Sequence, residues 1–236
     1  MRITSSLPDN GVLFTVDDVP GALWTPAGGT GPLVLVGHGG GQHRTAPGMA
    51  ARVRRFTEAG FAVAVVDAPN HGDRPKDPEL SRLAESIPAR VAAGESRSAL
   101  VAELHGLASR RSVPEWRAVL DALHAHLGPV PVGYWGVSMG CGLGVPFVAA
   151  EPRVRAAVLG LAPLHSGGGA AAGVTVPVRF LVQWHDELVP REESLALFDA
   201  LGSTDKTLHA NVGGHGEVPV AEVTSGLRFL DRHLRA

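Results

Sequence analysis

Several short apolar runs recur along the chain, and each stops at a glycine or a polar turn. The clearest are residues 33–37 (LVLVG) and 61–67 (FAVAVVD). Runs of this length without polar alternation suit strands that are covered on both faces. Residues 131–135, 154–161, 178–184 and 207–212 read the same way. Segments with helical spacing lie between most of them, at 47–59, 113–127, 143–150, 191–201 and 218–234. Strands that alternate with helices predict an α/β fold, with a mostly parallel central sheet and helices on both faces. Near the start, 12–16 and 22–24, broken by Pro20 and Gly21, predict an N-terminal antiparallel hairpin.

One stretch breaks this rhythm. About 45 residues separate the strand ending at Asp67 from the helix expected at 113, where a simple connection needs about 2–6. Residues 78–111 carry helical spacing at Leu80, Leu83 and Ile87, and again at Leu100, Leu104 and Leu107. They predict two short helices inserted over one end of the sheet. Padding and a small lid over a pocket are equally good readings of them. The whole chain, 1–236, is expected to form a single domain, as its 236 residues allow.

Charge and cysteine usage narrow the function. With 21 basic and 23 acidic residues the formal net charge is −2, which gives no electrostatic footprint for nucleic acid. Arg52, Arg54 and Arg55 form a local cluster that reads as a solvated helix face. Cys141 is the single cysteine, so no internal disulfide forms. The longest aliphatic or aromatic run has six residues, too few to span a membrane. The chain lacks the apolar start of a signal peptide, and the expectation is a cytoplasmic protein without nucleic-acid or membrane partners. The sequence leaves oligomeric state open.

Residues 136–140 (GVSMG) match G-x-S-x-G. A chain with 30 glycines offers that pattern by chance roughly 0.2 times, so context has to carry the claim. Here the pattern follows a predicted strand and precedes a predicted helix. That junction strains the central residue and exposes the Ser138 hydroxyl. A serine nucleophile needs a base, and the base needs an orienting acid. His215 sits in GGHG (213–216) after one strand, and Asp186 sits in WHDELVP (184–190) after another. Glu187 is the alternative acid, and Asp186 would then serve as a helix cap. Glycines in HGGG (38–41) expose backbone N–H groups that could hold an oxyanion. Gly40 is the first choice, with Gly39 and Gly41 beside it and the Met139 N–H as the second donor. His38 is expected to fix that loop, and Asp67 and His71 to hold the turn after their strand. His38, His43, His71, His185 and His215 all fall near strand ends, but no metal-ligand spacing joins them, so no metal or cofactor is expected.

HGGG at 38–41, DAPNHGDR at 67–74, GVSMG at 136–140, D-x-x-V-P at 186–190 and GGHG at 213–216 together resemble the α/β-hydrolase superfamily. Within it, the chain is similar to small dienelactone-hydrolase-like and prolyl-oligopeptidase-like serine esterases. Dienelactone hydrolases proper usually carry cysteine as nucleophile, whereas this chain has Ser138. The resemblance implies an α/β-hydrolase fold and a serine hydrolase of the carboxylesterase type, acting on a small to medium acyl ester. Acyl transfer, thioester or amide cleavage, C–C hydrolysis and ligand binding without catalysis would use the same fold. Pocket walls are expected from 78–111, from the loop 165–173 with His165, and from residues near Trp184.

Overall fold

The structure, a computed structural model, describes residues 1–167 and 169–236. Among them nine strands form one sheet in the order β1-β2-β3-β5-β4-β6-β7-β8-β9. Three antiparallel strands start the chain: β1 (Arg2–Leu7), β2 (Gly11–Val16) and β3 (Val19–Trp24). The strands β4 (Leu33–Gly37), β5 (Ala62–Val66), β6 (Val132–Gly136), β7 (Val154–Gly160), β8 (Val178–Gln183) and β9 (Lys206–Asn211) run parallel, and β3 joins them antiparallel to β5.

Side chains leave the strands alternately, which makes two cores. Leu33 and Leu35 of β4 face one side and Val34 and Val36 the other. The first side is covered by α2 (Pro78–Ala92), α3 (Arg97–Leu127), α4 (Met139–Ala150) and α5 (Arg191–Ala200). The second is covered by α1 (Pro47–Glu58), through Met49, Val53 and Phe56, and by α6 (Val220–Leu234), through Leu227, Leu230 and Leu234. Helices on both faces of a mostly parallel sheet are the expected architecture.

Two expectations need refinement. The expected N-terminal hairpin is present as the antiparallel pair β2 and β3, and β1 extends it to a three-stranded meander. The sequence hid β1 because it is mostly polar and largely exposed, and the signal for its turn is Asp9-Asn10, both at φ 57°. Pro20 and Gly21 do not break a strand but lie within β3. Gly21 is needed there because the Phe14 ring fills the place of a Cβ. The inserted segment also differs. Its second helix does not stop near 111 but continues through Leu127 as the 31-residue α3. Pro114 lies inside this helix on an exposed turn, where water can satisfy the carbonyl freed by the missing N–H.

Beyond β5, Asp67 is fully buried and organises the connection. Its carboxylate accepts the Arg44 main-chain N–H at 2.7 Å and the Asp73 N–H at 3.2 Å, and it pairs with the Arg44 guanidinium. Arg44 also reaches Asp73 at 2.5 Å, and Arg74 grips Glu115 of α3 through two bonds of 2.6 Å. Removing one partner of a buried pair strands the other charge. Asp67→Ala should therefore lower the unfolding free energy by about 3–5 kcal/mol in urea titration, with Asp73→Ala, on the exposed side of Arg44, far milder.

Candidate active site

The sheet reverses its winding at β4. The chain passes from β4 to β5 on one side, then crosses back to place β6 on the other. The loops leaving β4 and β6 part toward α1 on one face and α4 on the other. This opens a crevice at the carboxyl ends of the strands, where open α/β sheets hold their ligands. The loop after β6 carries Ser138 and the loop after β4 carries residues 38–41.

Ser138 joins β6 to α4 at φ 57°, ψ −128°, a conformation that non-glycine residues avoid. The turn is held from three sides. The Ser138 N–H donates to the Gly160 carbonyl at 3.0 Å, and the Ser138 carbonyl accepts from Cys141 and Gly142. The buried Tyr134 hydroxyl donates to the Gly140 carbonyl at 2.6 Å. Gly140 packs so closely on the Gly37 carbonyl that a Cβ would overlap it. The hydroxyl of Ser138 is thereby fixed above the sheet at the positive end of a helix.

His215 meets it from the loop after β9. Its Nε2 lies 2.8 Å from Ser138 Oγ and its Nδ1 lies 2.8 Å from Asp186 Oδ2. Asp186, after β8, is almost fully buried. Its other oxygen accepts the N–H groups of Leu188 at 2.9 Å and Val189 at 2.8 Å, which prevents the carboxylate from rotating. Asp186 thus closes a turn and faces the imidazole at once, while the cap position of α5 belongs to Pro190. Glu187, the alternative acid, accepts the main-chain N–H of His215 at 2.9 Å, and that bond holds its carboxyl below the ordinary range. Glu217 accepts from Gly214 N at 2.8 Å and Gln183 donates to the Gly214 carbonyl at 3.0 Å, so the histidine loop is tied at three points.

The loop 38–41 is anchored by His38, which is almost wholly buried. The Ala68 N–H can only donate, so His38 Nε2, 3.0 Å away, is the bare nitrogen. The proton then sits on Nδ1 and is donated to the Gly39 carbonyl at 2.9 Å. Burial pushes His38 down to about 4, which keeps it neutral in this role. Gly40 lines both cavities beside Ser138, Gly39 lines one, and Gly41 lines neither. Met139, the first residue of α4, has an N–H that the helix leaves without an acceptor.

The cavities lie on the two faces of the sheet and meet at Ser138, Gly40 and His215. One, of about 260 Å³, is mostly apolar and is walled by Met139, Pro163, Leu188 and Val189 and by Val101, Leu104 and His105 of α3, with Arg97, Ser98 and His71 also on its lining. The insertion contributes through α3. The other, of about 240 Å³, is lined by Gln42, Arg52, Val137, Leu161, Val218 and Val223. Two residues expected at the pocket lie outside both. Trp184 is one residue past β8 on the solvent side, 43% exposed, with the Arg191 guanidinium stacked 4.6 Å from its ring centroid. His165 points outward because its short 3₁₀ turn (Leu164–Gly167) buries Ser166 and Gly167 instead. Gly168, within the expected loop wall, lies outside the described residues.

Sequence reading missed His105 and Arg52. His105 is buried with Nδ1 3.0 Å from Ser166 Oγ, and burial pushes it down to about 4. Arg52 had a signal. It lies three residues after Met49 and four before Phe56, both fully buried, so it shares their side of α1. Cys141 is fully buried, and burial pushes its thiol up to about 12, which leaves it unreactive. His38 and His71 stack at 5.2 Å, but among the described residues no three metal-ligating side chains converge. Among the described residues no helix is long and apolar enough to cross a membrane.

No protein-family model and no curated protein sequence matches the chain. Among solved structures it is similar to a cold-adapted esterase from an Arctic intertidal metagenomic library, at 33% identity and a TM-score of 0.77. That match covers 99% of this chain and 97% of the other. The chain also resembles TT1662 from Thermus thermophilus (20% identity, TM-score 0.71, 100% of both chains). A third match is Est1E from Butyrivibrio proteoclasticus, solved with ferulic acid bound (15%, TM-score 0.70, 95% of this chain and 99% of that one). At 20% and 15% identity the likeness is one of fold.

Two measurements test the physical picture of the site. Glycine adopts φ 57° without the cost that a Cβ incurs, so Ser138→Gly should be more stable than Ser138→Ala by about 1–2 kcal/mol in thermal unfolding. The second concerns acid. His38 and His105 are lowered from 6.5 to about 4, so between these values the unfolded chain binds more protons than the folded one. Their contribution is complete above pH 6.5 and lost as pH falls through about 4. Urea midpoints should drop from pH 6.5 to pH 5, before most carboxylates titrate. His38→Gln should reduce that slope.

Proposed function

The chain belongs to the α/β-hydrolase superfamily, and on that premise we propose that it is a serine carboxylesterase working through Ser138, His215 and Asp186. The observation that carries the reading is the continuous pair of 2.8 Å contacts from Ser138 Oγ through His215 to Asp186, at the reversal point of the sheet. A relative at 33% identity over nearly both full lengths is itself described as an esterase.

In this mechanism Ser138 Oγ attacks the ester carbonyl while His215 Nε2 takes its proton. Asp186 Oδ2 accepts the Nδ1–H, so Nε2 is the nitrogen free to act as base, and it stabilises the imidazolium that forms. Negative charge that develops on the carbonyl oxygen is met by the N–H groups of Met139 and Gly40. His215 returns the proton to the departing alkoxide. A water, deprotonated by the same nitrogen, then releases the acid and restores Ser138.

The size of the cavities supports a small substrate. Each is slightly below the roughly 300–1,000 Å³ usual for ligand pockets. The apolar one, walled by α3 and by residues 188–189, fits a neutral hydrocarbon half of an ester.

Ser138→Ala should lower kcat on a short-chain ester by at least about 10³-fold with an unchanged fold. Asp186→Asn, which removes control of the tautomer, should cost about 10³–10⁴-fold. A fluorophosphonate should add to Ser138, as read by peptide mass. An unlabelled serine in folded protein, or turnover by Ser138→Ala at the parent rate, would sink the assignment.

A further inference from the structure

Among the described residues, Arg52 is the one charged residue that lines the 240 Å³ cavity, and no carboxylate shares that cavity with it. Its neighbours on α1 are placed differently. Arg54 is exposed and lies 3.8 Å from Asp9, and Arg55 faces a separate groove that contains Glu58 and Asp231. Arg52 is half-buried, on the same side of the helix as Met49 and Phe56. Burial alone lowers its guanidinium below the ordinary value, and no acidic group opposes that shift.

A guanidinium partly withdrawn from water without a counter-ion costs free energy that the fold must supply. Here the cost falls at a cavity that also contains Ser138, Gly40 and His215. An arginine presents a rigid fork of donors that matches a carboxylate with two parallel hydrogen bonds. Its single positive charge, among otherwise neutral walls, is balanced by a single negative one. The second cavity is mostly apolar, its arginine, Arg97, is exposed to solvent where Arg52 is half-buried, and it takes the other half of the molecule.

We infer that Arg52 is a specificity residue that binds a carboxylate on the substrate, so the natural substrate is an ester with one anionic and one apolar half. The inference rests on the serine-esterase reading. It adds a chemical class that the catalytic residues alone do not select.

The test uses two isosteric pairs. Monoethyl succinate against ethyl 4-methylpentanoate places the carboxylate in the acyl half. The butyrate ester of 4-hydroxybenzoate against that of 4-isopropylphenol places it in the alcohol half. In one pair, Arg52→Met should lower kcat/KM for the charged member about tenfold or more beyond its effect on the neutral member. The loss should appear in KM, as expected for a binding contact. Arg52→Lys should restore part of the preference, and added salt should weaken it in the parent. The pair that responds identifies the half that carries the anion. Equal losses on charged and neutral esters, confined to kcat, would mean that Arg52 serves the oxyanion instead and would overturn the inference. So would two pairs that do not respond. If the parent hydrolyses none of the four esters and takes no fluorophosphonate at Ser138, the esterase reading fails and the inference goes with it.

Discussion

The close approach of β4, β6 and α4 around Gly37, Gly140 and Tyr134 is the contact on which the site depends. Parallel strands side by side would ordinarily leave room for a longer turn. Here a Cβ at Gly37 would overlap the Tyr134 hydroxyl, and one at Gly140 would overlap the Gly37 carbonyl. That absence of side chains lets α4 begin directly over the sheet, with Tyr134 bonded to the Gly140 carbonyl beneath it. The helix then starts so abruptly after β6 that Ser138 must take a positive φ. The strain at one residue, of order 1–3 kcal/mol, is sustained by an interior with very little room to relax. Trp116 of α3 stacks against both Tyr134 and Phe147, which ties the long inserted helix to the same core.

Around that rigid turn, the other groups are positioned by hydrogen bonds that leave them little choice of proton. His38 is fixed as the Nδ1–H tautomer because one neighbour can only donate and the other can only accept. Asp186 has both oxygens committed, one to backbone N–H groups and one to His215. Glu187, Glu217 and Gln183 hold the histidine loop by its backbone, and the imidazole remains within 2.8 Å of Ser138 Oγ. Of the two adjacent acids, Asp186 meets the ring of His215 and Glu187 its main chain.

Much of this was legible because it rests on local signals. Apolar runs bounded by glycine give strands buried on both faces, and their alternation with helical spacing gives the parallel sheet. Ser138, Asp186 and His215 stood out because each follows such a run, and the chain order of the three motifs matched the family resemblance. What the sequence hid depends on tertiary contact. The strand Arg2–Leu7 is mostly polar and largely exposed, with only Ile3 and Leu7 apolar, so its periodic signal is weak. The expected break before 113 failed because Pro114 sits where solvent replaces the lost backbone partner. Trp184 looked like a pocket wall by proximity to Asp186, but a position one residue past a strand end decides which way a ring points. His105 belongs to a helix 33 residues before Ser138, and nothing local marks it as a cavity wall.

The difference between the two cavities follows from the topology rather than from any one residue. Because the sheet reverses at β4, each face sends a different helix toward Ser138. The face covered by α3 and α4 brings Val101, Leu104 and Met139, residues that continue the larger apolar core upward. The face covered by α1 and α6 brings a helix that must also be soluble on its outer side, and its boundary positions carry arginine. Arg54 and Arg55 are exposed or face an acid, whereas Arg52, on the boundary nearest the crevice, is half-buried and shares its cavity with no carboxylate among the described residues. A more polar cavity on one side of Ser138 and a mostly apolar one on the other thus follow from where the strand order turns back.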